Sequence, residues 1–120
     1  MPGRSHVEVK NIGYSIANNI LPTIRISNHP RTNQVVLVLA RQHPCETTGS
    51  FIAEYLVRQL LAEAGEVERH LLGLFEFVVV PMVNPDGVVH GMSRCNMAGL
   101  DLNRHWGEDT LKVGEVILRN

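Results

Sequence analysis

Apolar residues change their spacing along this chain, and each change predicts an element. Val7 and Val9 flank Glu8, and residues 12–16 extend the apolar pattern up to Asn18-Asn19, a turn signal. Residues 21–26 then alternate around Pro22. The opening segment therefore reads as strands, and Pro22, which cannot donate to a ladder, argues for an edge position. Residues 28–33 read as a loop, with His29 a solvated loop residue. Residues 34–40 form a continuous β-branched and leucine run, the pattern of a strand buried on both faces. From Thr48 the period becomes helical: Phe51, Ile52, Tyr55, Leu56, Leu60 and Leu61 share one face, and Glu54, Arg58 and Glu63 the other. Gly65 is expected to end that helix, residues 66–72 to add a short second one, and residues 74–83 to form another fully apolar strand.

Strand, helix and strand in that order make a βαβ unit whose crossover is right-handed and whose strands are parallel. Ligands of such sheets bind beyond the carboxyl ends of the strands. His43 and Glu46 follow the end of the first strand, and Asn84 and Asp86 follow the end of the second. Both groups are therefore expected at one edge of the sheet, which is the physical argument for a single site.

Composition narrows the functional classes. With 44% apolar residues the 120-residue chain can build a core, and nothing in it suggests disorder. A net charge of −1 gives no general attraction to nucleic acid or to an anionic membrane. No apolar run approaches the ~20 residues that span a bilayer, and no hydrophobic signal region follows Met1. The expected setting is cytoplasmic, with no nucleic-acid or membrane partner. Cys45 and Cys95 are too few for a disulfide framework and read as small buried thiols in the wall of the site.

The chemistry lies in three short motifs. An imidazole and a carboxylate three positions apart, His43 and Glu46, can converge on Zn²⁺, whose hydrolytic sites take three protein ligands of this N/O kind and leave one position open. Taken alone, the same run also suits a surface turn whose Glu46 opens the next helix at its positive end. Asn84-Pro85-Asp86-Gly87 reads as a turn leaving a strand. A bond from Asp86 to a metal-holding histidine is the other reading of that acid. Arg94, Asn103 and Arg104 suit recognition of a free α-carboxylate, which a guanidinium fork matches bidentately. Arg94 also suits stabilisation of an oxyanion at the scissile carbonyl. Trp106 reads as a packing residue behind the site.

In order and spacing these motifs resemble the zinc metallocarboxypeptidase family, and in particular its cytosolic branch. The resemblance is carried by Ala40-Arg41-Gln42-His43-Pro44-Cys45-Glu46-Thr47, by Pro81-Met82-Val83-Asn84-Pro85-Asp86-Gly87-Val88, by Arg94-Cys95, and by Gly99-Leu100-Asp101-Leu102-Asn103-Arg104-His105-Trp106. It covers roughly residues 10–106. It implies an α/β fold with a mixed, partly parallel sheet and flanking helices, Zn²⁺ held by His43 and Glu46, and Arg94 as the oxyanion and substrate arginine. It further implies Asn103 and Arg104 as the clamp on the substrate's terminal carboxylate. The implied partners are peptide or protein C-terminal tails, including glutamate-rich tails such as those of tubulin. Cys45 stands where the family commonly has Gly.

The family's third zinc ligand, a His, and its general base, a Glu, lie further on than the Asn-Arg pair, and residues 107–120 match neither. Residues 1–120 are thus expected to be a partial catalytic domain with a divergent tail over 107–120, and to be catalytically silent alone. Two other readings stand beside this one. One is a non-catalytic binding module or remnant. The other is a small-molecule amidohydrolase of the aspartoacylase kind, which shares an H-x-x-E and an Asp-x-Asn-Arg run.

Overall fold

Asn18 closes the first hairpin. Its φ of +64° lies in the left-handed region, which asparagine visits more readily than most residues. The Ser15 amide donates to Asn19 O at 2.9 Å across the turn. On either side run β1 (His6–Tyr14) and β2 (Ile20–Ser27), antiparallel, with a register irregularity between Asn11 and Tyr14. The computed structural model describes residues 6–28, 34–62 and 65–107. The expected loop histidine His29, Glu63 of the helix's polar face and the tail beyond 107 lie outside the described residues.

Two further strands, β3 (Val35–Leu39) and β4 (Glu76–Val80), complete a sheet of order β1-β2-β4-β3. β4 runs antiparallel to β2 and parallel to β3, so the sheet is mixed. The expected crossover is made by α1 (Thr47–Leu61) and α2 (Glu66–Leu74). Gly65 stands at the N-cap of α2, with extended φ and ψ, while Ala62 caps the end of α1.

The core lies between the helices and one face of the sheet. Ile26, Leu60, Leu72 and Phe77 form one buried cluster, and Ala40, Ala53 and Val79 a second nearer the carboxyl ends of β3 and β4. A fully buried side chain such as Leu60 stabilises the fold by about 1.5–3 kcal/mol. None of the described helices is long and apolar enough to cross a membrane.

Several sequence expectations are corrected here. β4, buried at four of its five positions, is the strand enclosed on both faces; β3 is an edge strand whose Val35, Leu37 and Leu39 face outward, exposed. Continuous apolar runs do not reveal which strand is central, since both runs read alike. β2 is interior, yet it holds Pro22, because β4 pairs only with Ile24, Arg25 and Ile26 and ends short of it. In α1 the core-facing stripe is Ala53 and Leu60, buried, with Leu56 and Val57 half-buried, whereas Phe51, Ile52 and Tyr55 are exposed. The strand expected over residues 74–83 is shorter, since Leu74 still belongs to α2 and β4 ends at Val80.

Candidate functional site

The carboxyl ends of β3 and β4 stay paired after the regular strands stop. Ala40 N donates to Val80 O at 3.0 Å, Val83 N to Ala40 O at 2.9 Å and Asn84 N to Arg41 O at 3.0 Å. These bonds fasten the His43 loop to the Asn84 loop. A third loop joins where Cys45 N donates to Ser93 O at 3.1 Å. The three motifs, far apart in the chain, thus meet at one edge of the sheet; the strand–helix–strand order accounts for the first two, and the Cys45–Ser93 bond brings in the third.

The turn that carries His43 is held under strain. Arg41 has φ +55°, a region costly for a long side chain. Its guanidinium compensates by donating to Pro44 O from Nε and Nη2, at 3.0 and 2.7 Å, and to Ser50 Oγ at 3.2 Å. Beneath the turn, the residues expected to form a simple bend instead begin a short helix, α3 (Pro85–Val89). Pro85 occupies its first turn, where a missing N–H is harmless, and Asn84 caps it by accepting from Gly87 N at 2.9 Å. Asn84 Nδ2 donates to Cys95 O at 3.2 Å, which ties in the Arg94 segment. A Cβ at Gly87 would lie 2.3 Å from Pro44 Cγ, so only glycine lets α3 pack this closely under the turn.

Asp86 is fully buried, and its carboxylate accepts from Ser15 Oγ, from Ala17 N at 3.0 Å and from Asn19 Nδ2 at 2.7 Å. The reading of Asp86 as the partner of a metal-holding histidine is therefore corrected. Asp86 fixes the β1–β2 turn against the floor of the site.

His43 is 5% exposed and both of its ring nitrogens have carboxylate partners. Nδ1 lies 2.9 Å from Glu46 Oε1, and Nε2 lies 2.9 Å from Asp101 Oδ1. Glu46 occupies the N-cap of α1 but makes no side-chain cap bond, so its carboxylate is turned to the imidazole. Asp101 Oδ2 accepts from Arg94 Nε at 2.6 Å. Asp101 is the residue that sequence reasoning passed over. Its signal was its place two residues before Asn103, within reach of a histidine in need of a second-nitrogen partner.

Electrostatics follow from these contacts. Asp101 foremost, and Glu46 after it, raise the His43 pKa above its ordinary 6.5. The bond to His43, with Arg94 assisting, holds the Asp101 carboxyl well below the usual carboxylate range. Asp101 in turn raises the pKa of Arg94.

His43 Nδ1 and Glu46 Oε1 suit a zinc ion. Two donors of a tetrahedral zinc stand about 3.3 Å apart, close to the 2.9 Å seen, and Asp101 already holds the opposite ring nitrogen in the manner of a metal-bound histidine. Among the described residues no group of three or more His, Cys, Asp or Glu is placed to hold a metal. Cys45 is exposed and Cys95 partly so, which corrects their reading as buried thiols.

Asn103 and Arg104 lie in a single 3-10 turn, Leu102–Arg104, that Asp101 caps by accepting from Asn103 N at 3.0 Å. Both side chains are exposed. Trp106 is exposed as well, which corrects its reading as a packing residue; its Nε1 donates to Asn103 Oδ1 at 2.7 Å. With Oδ1 so engaged, the Asn103 amide presents its N–H donors to an incoming acceptor.

Comparison with known proteins agrees with this arrangement. Mouse cytosolic carboxypeptidase 2 is 39% identical over 98 residues, a stretch that covers 77% of this chain and 11% of that protein. A metallo-carboxypeptidase from Burkholderia cenocepacia superposes with a TM-score of 0.78 at 34% identity, over 87% of this chain and 29% of its own. One from Pseudomonas aeruginosa, solved in complex with (2-guanidinoethylmercapto)succinic acid, gives 0.72 at 35% identity, over 82% of this chain and 27% of its own. The chain thus spans a small part of the length of each relative. The family model described as zinc carboxypeptidase matches residues 4–116, and the chain belongs to the zinc carboxypeptidase family.

Proposed function

We infer that this chain carries the metal-holding and carboxylate-binding part of a peptidase catalytic domain that releases C-terminal residues from peptides or proteins. The observation that carries this reading is the convergence of His43 Nδ1 and Glu46 Oε1, with Asp101 behind the imidazole and Arg94 beside it. His43 and Glu46 would hold Zn²⁺. That ion supplies Lewis acidity toward a carbonyl and lowers the pKa of a bound water to ~7. Asp101 keeps the imidazole oriented with Nδ1 toward Glu46. Arg94 offers its guanidinium to the oxygen on which charge develops. Asn103 and Arg104 bind the terminal α-carboxylate, Arg104 as the charge and Asn103 as the amide donor oriented by Trp106.

Glutamate-rich tails, tubulin's among them, are the proposed substrates, and the cytosol the proposed compartment. The names of the curated relatives support both the peptidase reading and the compartment. The carboxylate clamp draws support from the succinic acid derivative bound by the Pseudomonas aeruginosa relative. A second reading, a module that binds C-terminal carboxylates without cleaving them, is favoured by the two-donor metal group among the described residues.

The test has two stages. Zn²⁺ affinity is measured on the chain and on His43→Ala and Glu46→Gln; binding indifferent to both changes would remove the basis of the reading. Peptides ending in glutamate are then offered to a protein that contains this chain within a longer carboxypeptidase-like sequence. Zinc-dependent release of glutamate, lost in His43→Ala, supports the peptidase. Saturable binding of the free acid without release supports the module.

A further inference from the structure

Asp101 divides one carboxylate between two groups. Oδ1 faces His43 Nε2 at 2.9 Å, and Oδ2 accepts from Arg94 Nε at 2.6 Å. The His43 and Asp101 side chains are 6% and 18% exposed, and that of Arg94 47%, so the imidazole end is withdrawn from water and the guanidinium end is open to a ligand. A carboxylate engaged by a guanidinium has less of its charge available to polarise a second donor. The electron density that a histidine offers a metal depends on how strongly its other N–H is held.

We propose that Arg94 restrains metal binding at His43 and Glu46 through Asp101, and that a peptide ligand's carboxylate or oxyanion relieves this restraint by engaging Arg94. Zn²⁺ and the carboxyl end of the peptide then bind cooperatively, each tightening the other by the same factor. This rests on the reading of His43 and Glu46 as zinc donors and adds a coupling between the two halves of that site. Direct repulsion between Arg94 and a divalent cation has the same sign, so the experiment must separate the two routes.

A double-mutant cycle on zinc affinity does so, read on the 120-residue chain by competition with a chromophoric chelator at constant pH. Arg94→Gln is expected to tighten Zn²⁺ binding about five-fold, the opposite of what loss of an ordinary binding residue does. Asp101→Asn alone weakens it about ten-fold or more. In the Asp101→Asn background, Arg94→Gln should change affinity by less than about two-fold. A five-fold gain that survives there, or no gain in the first place, overturns the proposal. Should Asp101→Asn fail to fold, the unaltered chain supplies a second measurement. N-acetyl-alanyl-alanine should tighten Zn²⁺ binding to the unaltered chain and do so less than about two-fold in Arg94→Gln; an equal response in both overturns the coupling. Zinc affinity indifferent to His43→Ala would instead sink the metal reading and the proposal with it. Affinity that depends on His43 together with a flat cycle sinks the coupling alone.

Discussion

The loops at the carboxyl end of the sheet and the apolar border formed by β3 and α1 invert the usual distribution of polarity. His43, Asn84, Asp86 and Asn96 are 5%, 0%, 0% and 1% exposed, whereas Leu37, Phe51 and Tyr55 are 58%, 70% and 65% exposed. Buried polar groups are tolerated only when hydrogen-bonded, and a fully bonded network rigidifies its surroundings. The polar loops meet that condition at every group but one: Asp86 accepts from Ser15 Oγ, Ala17 N and Asn19 Nδ2, Asn84 caps one helix while holding the next loop, and Asn96 accepts through Oδ1 while its Nδ2 is left without a partner among the described residues. The apolar border contributes little to the core despite its composition. In this chain, rigidity comes from the polar region at the site, and exposure from the apolar one.

The largest effect expected from breaking this contrast is at Asp86. Asp86→Ala leaves Ser15, the Ala17 amide and Asn19 without their shared acceptor. Ser15 is buried while Ala17 is exposed and Asn19 half-buried, so the Ser15 hydroxyl alone bears the full penalty of roughly 1–3 kcal/mol; with the cavity left by the carboxylate, about 2–3 kcal/mol of stability should be lost in urea unfolding. A loss below about 1 kcal/mol would mean that water replaces the carboxylate and that the site floor is not rigid. Next comes Gly87→Ala, whose Cβ would meet Pro44 Cγ at 2.3 Å and Asn84 Oδ1 at 2.8 Å. Overpacking of this kind costs about 1–3 kcal/mol. Because Pro44 adjoins His43, the variant should also weaken Zn²⁺ binding, and unchanged zinc affinity would show that the turn adapts independently of α3.

Legibility in the sequence followed the same contrast. His43, Glu46, Arg94, Asn103 and Arg104 are candidates from residue type and short spacing, and the strand–helix–strand order predicts that the His43/Glu46 and Asn84/Asp86 loops share one edge, as they do. Asp101 was harder, since its importance depends on a contact with His43 across 58 positions. The alternative that tied Asp86 to a metal-holding histidine failed for the same reason, its actual donors being 67 or more residues away. The edge position of β3 was also hidden. Burial of a strand depends on its neighbours in the sheet, and Val35–Leu39 and Glu76–Val80 have nearly the same apolar pattern. Phe51, Ile52 and Tyr55 lie on an apolar helical face, but periodicity cannot say how wide a stripe the sheet covers.

A pH series sharpens the contrast within the polar region. The pKa of His43 is raised in the folded state by Asp101 and Glu46. A raised folded pKa contributes stability that is complete below the unfolded value of 6.5 and is lost as pH rises through the folded value. Metal-free protein should therefore lose stability as pH rises above 6.5, while Zn²⁺ affinity grows in the same direction because zinc takes the neutral imidazole. Asp101 acts at the other end: its lowered carboxyl stabilises the fold above its ordinary 3.8 and stops doing so as pH falls through the folded value. Thermal unfolding across pH 5–8 with and without a chelator measures the first effect. A slope that persists unchanged in His43→Gln would assign it to other groups.

The smallest effect on folding is expected where the apolar surface is largest. Phe51→Ser and Leu37→Lys replace side chains that are 70% and 58% exposed, on α1 and on the outward face of edge strand β3. Exposed substitutions of this sort usually stay within about 0.5 kcal/mol. Their consequence should be felt in association instead, because an unpaired strand edge beside apolar side chains favours contact between copies, and a lysine there opposes it. Sedimentation of the unaltered chain should show concentration-dependent species heavier than the 13.4 kDa monomer, and the double variant should shift toward the monomer with its unfolding midpoint almost unmoved. A double variant that unfolds early would place Phe51 and Leu37 in the working core and remove the contrast between the two regions. A chain that is monomeric at every concentration would leave the contrast intact and deny that the apolar border is adhesive.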